Sequence, residues 1–171
     1  MARSDAEAAA LLAKFGIEEP PVDPERLARN LDVLVVRQKM TDDVSGMLLR
    51  RDDEKVIGVN GEHLRVRQRF TVAHELGHLL LHRGRPLILD TGTRINLRDS
   101  VSSKATDREE MEANRFAAAL LAPEVMVRRE ARKSDLRSAE ELVDRLARRF
   151  GMSQMAMNFR LMNLGIISDP Q

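Results

Sequence analysis

From residue 62 to residue 82 the chain has no proline, and Phe70, Ala73, Gly77, Leu80 and Leu81 recur at spacings of three and four. That period marks one stripe of a long helix, so the fold must accommodate a long amphipathic element there. Within the same stretch His74 and His78 stand four residues apart. On a helix both imidazoles leave one face, a turn apart, where they can grip a single ion.

Composition narrows what kind of ion site is available. Cysteine is absent, which excludes disulfide frameworks and cysteine-based zinc knuckles; a transition-metal site must come from His, Asp and Glu. With 171 residues the chain suits one domain, or one with a small appendage, and can bury a real core. Its 28 basic and 27 acidic residues leave a net charge of +1, so no global field points to nucleic acid. Of the basic residues 23 are arginine, clustered at 65–69, 128–132 and 145–149, which read as solvated helix faces. The first apolar run, Ala8 to Ala13, is short and preceded by acidic residues, unlike a signal peptide. No stretch approaches the roughly 18–20 apolar residues of a membrane span, so a cytoplasmic location without membrane contact is expected.

Around the long helix, Ser4 to Phe15 reads as a first helix capped by Ser4 or Asp5 and stopped by Gly16. Asp23-Pro24-Glu25 opens a second, ending near Asn30. Residues 31–37, 46–50 and 55–59 read as strands of a small antiparallel or mixed sheet, the last two joined by the polar turn Arg51-Asp52-Asp53-Glu54. Residues 83–105 read as irregular or partly extended. Thr106, with Glu109 as capping-box partner, opens a helix that runs to Leu121 and stops near Pro123. A helix over 124–132 follows, then one from Ser138 (paired with Glu141) to Phe150, a turn at Gly151, and a last helix from Ser153 to Gly165. The expected class is α+β, with a main domain over 1–135 and a helical segment over 136–171.

Glu75 follows the first histidine of the pair and reaches the open side of a metal held there. From that position its carboxylate can take a proton from metal-bound water. With four His and 14 Glu in the chain, the pattern arises by accident only on the order of 1% of the time. Catalytic zinc takes three protein ligands and one water, so one ligand is missing. His82 lies a further turn on, about 6 Å along the axis, too far to share the ion with both others. Glu109, Glu110 and Glu112 compete. Glu110 and Asn114 share a face bordering the buried side marked by Ala113, Ala117, Leu120 and Leu121, which favours Glu110. Glu109 is assigned to the cap, and Glu112 points about 200° away, as a surface charge or outer acceptor. Asn114, one turn beyond Glu110, can hydrogen-bond a ligating histidine and fix its tautomer. Gly77 leaves room for close approach of the glutamate helix.

The run from Arg69 to His82, followed by Glu110-Met111-Glu112-Ala113-Asn114-Arg115-Phe116-Ala117-Ala118 and Leu120-Leu121-Ala122-Pro123, resembles the ImmA/IrrE family of metallopeptidases. Asn60, Leu87-Ile88-Leu89-Asp90 and Asn96-Leu97-Arg98-Asp99 extend the resemblance over roughly residues 45–125. It implies a compact zincin-like domain whose third ligand is the first Glu of the Glu-x-Glu-Ala-Asn run, here Glu110. It also implies cleavage of helix-turn-helix repressors, in stress response or mobile-element control. Some relatives place a tyrosine near the metal, and this chain has none. Oxyanion stabilisation then falls to the zinc with His82, His63, an arginine of the 83–98 loop or backbone amides. Mn²⁺ or Fe²⁺ suits the same His₂Glu set as Zn²⁺.

Residues 138–167 resemble a helix-turn-helix unit. As a DNA reader it would turn Ser153, Gln154, Asn158 and Arg160 to the groove, with Arg148 and Arg149 near phosphate. As a packing or substrate-docking unit it would set Leu146, Phe150, Met155, Phe159 and Leu161 against the peptidase, the reading that neutral charge and the methionines favour. Three functions follow from these residues: a zinc endopeptidase whose substrate strand pairs with an edge at 45–50 or 87–97, a non-catalytic regulator with a structural metal, and the partner-binding half of a toxin-antitoxin-like pair.

Overall fold

The computed structural model describes residues 2–83, 87–91, 100–133 and 138–168, with the backbone course alone for 87–91 and 100–106. Helix α1 spans Arg3–Lys14 and α2 Pro24–Asn30. Strands β1 (Leu34–Gln38), β2 (Val44–Arg51) and β3 (Glu54–Asn60) precede α3 (Arg65–Leu81). Strand β4 (Leu87–Thr91) and helices α4 (Ser100–Leu121), α5 (Glu124–Arg132), α6 (Ala139–Phe150) and α7 (Gln154–Asn163) complete the order. The expected α+β class holds.

Local signals account for most boundaries. The Asp23 carboxylate accepts the N–H groups of Glu25 and Arg26 at 3.0 and 3.2 Å, with Pro24 in the first turn of α2. Ser138 and Ser153 cap α6 and α7 through the N–H groups of Glu141 and Ala156. Gly151 ends α6 in the left-handed region at φ 65°, where a side chain would be strained. Three expectations fail. Neither Ser4 nor Asp5 caps α1: Ala2 holds that position without a side-chain bond, and Ser4 is buried inside the helix. Strand β1 starts at Leu34 rather than at residue 31, because Leu31 still caps α2 and Asp32 turns the chain at φ 57°. Thr106 does not open α4, which is already helical from Ser100, and no glycine or proline interrupts the run between. Within the segment read as irregular or partly extended, Leu87–Thr91 forms β4, in keeping with that reading.

The four strands lie in the order β1-β3-β2-β4, with β1 parallel to β3 and the other pairs antiparallel. Asp52, at φ 51°, makes the tight β2–β3 turn between the paired residues Arg51 and Glu54. Strand β2 is therefore internal, and 45–50 is not an edge available to a substrate. Helix α3 runs between the sheet and α4. Leu48 and Ile57 reach it from the sheet, Phe116, Ala117 and Leu120 from α4, and all are fully buried with Val72, Ala73 and Leu76. Leu146, Phe150, Met157 and Leu161 of α6 and α7 belong to the same core.

Two glycines set how closely the layers meet. A Cβ on Gly77 would lie 3.1 Å from the Ala113 Cα, so α3 and α4 touch backbone to backbone there. A Cβ on Gly46 of β2 would lie 2.4 Å from Thr71 Cγ2 of α3 and 2.9 Å from the Gly58 carbonyl oxygen. Backbone on β3 cannot yield without opening the sheet. Gly46→Ala is expected to cost about 1–3 kcal/mol by overpacking; a urea midpoint equal to wild type would contradict this contact.

Candidate metal centre

The α3–α4 contact at Gly77 brings polar groups of both helices together inside apolar walls. His74 and His78 leave the α3 face toward α4, with their Nε2 atoms 3.0 Å apart. Glu110 of α4 sets Oε2 at 3.2 Å from His74 Nε2 and Oε1 at 3.1 Å from His78 Nε2. One donor atom from each of the three falls within 4.8 Å of the others, which makes a group able to hold a metal ion. Ligands at about 2.0–2.1 Å from a tetrahedral ion lie about 3.3 Å from each other. The observed spacings of 3.0–3.2 Å fit that cage, and two imidazoles with a carboxylate are a donor set for zinc.

Of the rival carboxylates, Glu109 lies outside this group. Glu112 turns to His82, with Oε2 at 3.1 Å from His82 Nε2, and to Arg108, with Oε1 at 3.0 Å from Nε. Asn114 places Oδ1 at 2.9 Å from His74 Nδ1. Accepting that N–H leaves the His74 Nε2 lone pair directed at the centre. His82 ends α3 and stands 3.1 Å, Nδ1 to Nδ1, from His78. His63 sits at the β3–α3 junction, its Nε2 3.4 Å from Asn60 Nδ2, and does not join the cluster. Arg85, Arg94 and Arg98 of the 83–98 loop lie outside the described residues.

Glu75 is fully buried on the sheet-facing side of α3. Gly46 opens the space beside it: a Cβ there would come to 3.5 Å from Glu75 Oε1. Arg50, two pleats further along β2, donates from Nη2 to the His78 carbonyl oxygen at 2.5 Å, tying the His78 turn of α3 to the sheet. Burial lowers the Arg50 pKa, against the opposing pull of the Glu75 charge. Neither Gly46 nor Arg50 stood out in sequence. The available signal was the alternation Gly46, Leu48, Arg50, which puts all three on the strand face that meets α3.

The C-terminal residues do not make a common nucleic-acid face. Arg160 is only 6% exposed, donating to the Ala122 carbonyl oxygen at 3.0 Å and lying 3.5 Å from the Asp5 carboxylate. Ser153 is engaged as a cap, Gln154 donates to Asp144 at 2.8 Å, and Asn158 contacts Met162 Sδ at 3.4 Å. Arg148 pairs with Asp144, and Arg149 with Glu130 and Glu19. The packing pattern also needs correction. Leu146, Phe150 and Leu161 are buried, but Met155 and Phe159 are 70% and 56% exposed. Position on the helix decides this, since Met157 and Leu161 take the inward face of α7. Met155 and Phe159, with Leu64, Phe70, Met111 and Asn114, line a cleft of about 1250 Å³, and Asn114 links it to the His74 ring.

Protonation of the centre ties it to stability. Burial pushes the Glu110 carboxyl up, but hydrogen bonds and charge from His74 and His78 outweigh it and hold the group well below the usual carboxylate range. Burial lowers His78 below its ordinary 6.5, only partly opposed by Glu110. Both groups therefore bind protons less readily folded than unfolded. The stability they confer is present at neutral pH and is lost on acidification, first below about 6.5 and again below about 4.5. Urea midpoints of the metal-free protein should fall from pH 7.5 to 5.5 and further at pH 4; a midpoint that rose would contradict the assignment.

Comparison with known proteins places this geometry. Residues 28–162 match the model of the IrrE N-terminal-like domain, Peptidase_M78. The sequence matches no curated protein. The fold is similar to that of a Mycobacterium tuberculosis transcriptional regulator, with a TM-score of 0.61 over 95% of this chain at 22% identity. This chain spans 47% of that one, so the likeness concerns the fold alone. The family match runs from within α2 into α7 and takes in both histidines and Glu110, and the chain therefore belongs to the ImmA/IrrE family of metallopeptidase-like proteins.

Proposed function

We propose that the chain is a zinc-dependent endopeptidase that cuts a helix-turn-helix transcriptional repressor and so relieves repression. The observation that carries this reading is the convergence of His74, His78 and Glu110 beside a buried Glu75. His74, His78 and Glu110 hold the ion. When bound, zinc supplies a Lewis acid that polarises the scissile carbonyl and acidifies water at the site. Mn²⁺ or Fe²⁺ suits the same donors.

Glu75 takes the proton of the attacking water and returns it to the leaving amine. Asn114 holds the His74 ring in place, and Arg50, through the His78 carbonyl, fixes the turn that carries the ligands. The substrate strand adds to β4, the outermost strand on that side among the described residues, since β2 is paired on both sides. Residues 1–135 carry the catalysis. Residues 136–171 supply one wall of the cleft, where Met155 and Phe159 meet an apolar part of the substrate. That use of α7 is favoured over DNA contact because Arg160 is buried and Met155 and Phe159 are exposed. A repressor substrate places the reaction in the cytoplasm, and among the described residues no helix is long and apolar enough to cross a membrane. The similar fold of a transcriptional regulator suits a role in gene control.

The test incubates the purified chain with the helix-turn-helix protein encoded beside it. Cleavage is expected that a chelator stops and zinc restores. Glu75→Gln should retain the metal and lose about 10²–10⁴-fold in rate. Release of the target gene by Glu75→Gln at the wild-type level, without cleavage, would replace this reading with that of a non-catalytic regulator.

A further inference from the structure

Helix α3 carries a third histidine in register with the first two: His74, His78 and His82 are successive at four-residue spacing. Their ring centroids are 4.7 and 5.1 Å apart along the row. His82 belongs to no part of the cage, yet its ring is buried at the end of the helix, and its backbone N–H returns to the His78 carbonyl at 3.1 Å. Its two ring nitrogens are both engaged, Nδ1 at 3.1 Å from His78 Nδ1 and Nε2 at 3.1 Å from Glu112 Oε2. Glu112 is held in turn by Arg108 Nε at 3.0 Å.

We propose that His82 and Glu112 are positioning residues for the metal ligand His78, joined in a hydrogen-bonded chain that fixes its tautomer and ring orientation. This inference rests on the ligand set of the proposed function. Counting protons leaves one consistent arrangement. With its Nε2 lone pair committed to the ion, His78 carries its hydrogen on Nδ1 and donates it to His82 Nδ1. Neutral His82 then bears hydrogen on Nε2, where the Glu112 carboxylate accepts it. The opposite tautomer of His82 would turn a lone pair toward the carboxylate and a second N–H toward His78. A doubly protonated His82 would do the latter as well. Glu112 thus selects the tautomer of His82, and His82 selects that of His78.

The two imidazoles are supported unequally. His74 leans on the neutral amide of Asn114, itself exposed, whereas His78 leans on a buried ring backed by a carboxylate. A charged acceptor at the end of such a chain makes the ligating nitrogen a better donor to the metal. Glu112 therefore has a task distinct from that of Glu110, two residues earlier on α4. The pair Glu-x-Glu serves the same centre from inside and outside the cage.

The experiment measures zinc affinity of the full chain by competition with a chromophoric chelator, together with the visible spectrum of the cobalt-loaded protein. His82→Phe should weaken zinc binding about 10–100-fold and shift the cobalt bands. Glu112→Leu should weaken it by a comparable factor, and Glu112→Gln, whose amide oxygen still accepts the His82 Nε2–H, should recover most of the loss. Because the two residues act in series, His82→Phe combined with Glu112→Leu should be no weaker than His82→Phe alone. Wild-type affinity in a folded His82→Phe protein would overturn the proposal, as would fully additive losses in the double variant. Should His82→Phe fail to fold, Glu112→Leu decides, since it leaves every buried ring in place, and unchanged affinity there is equally fatal. A wild-type chain that takes up no zinc would overturn the metallopeptidase reading itself.

Discussion

The backbone contact between α3 and α4 at Gly77 and Ala113 is the constraint from which the rest of the centre follows. Side chains of ordinary size keep helix axes about 8–10 Å apart, and at that spacing a glutamate on one helix meets histidines on the next only at full stretch. Removing the side chain at residue 77 lets the α4 backbone sit where a Cβ would be. Glu110, one turn from Ala113, then reaches both His74 and His78 with its two oxygens. Phe116, Ala117 and Leu120 continue the contact on apolar terms and hold the helices at that separation.

Polar groups buried this deeply would be costly without partners. Much of the surrounding architecture supplies them. Asn114 serves His74, the His82–Glu112 pair serves His78, and Arg50 reaches across from the sheet to the last turns of α3. Asn60 does comparable work away from the centre, donating to the carbonyl oxygens of Thr41 and Val44 and so shaping the entry to β2. A metal ion would take up the charge that remains on the inner carboxylate. Stability is thus tied to the protonation of these same atoms, and acid weakens it.

Much of the site was legible because the relevant geometry is local. His74, Glu75 and His78 are arranged by helix pitch alone, and the Asp23, Ser138 and Ser153 caps act over two or three residues. Signals of the same range misled where they were weak. Thr106 and Glu109 have the spacing of a capping box, but nothing upstream stops the helix, so α4 continues through them. In the C-terminal segment the apolar pattern identified the helices and the Gly151 turn, yet it did not say that Met155 and Phe159 face outward. Met157 and Leu161 share an equally apolar face, and only packing against the core chose between them.

What the sequence determined by itself was a helix bearing a paired imidazole with an adjacent carboxylate, a second helix offering glutamates, and the absence of any sulfur ligand from cysteine. What only the tertiary structure decided was which groups from different elements meet. Glu110 reaches the ring nitrogens while Glu112 goes to His82, Gly46 and Arg50 come to lie against α3, β2 takes an interior place in the sheet between β3 and β4, and Arg160 is drawn inside by Asp5 and the Ala122 carbonyl. The division has one physical reason. Periodicity records which face of an element is buried, but pairings between elements depend on axis separation and register, which are set by side chains far apart in the chain.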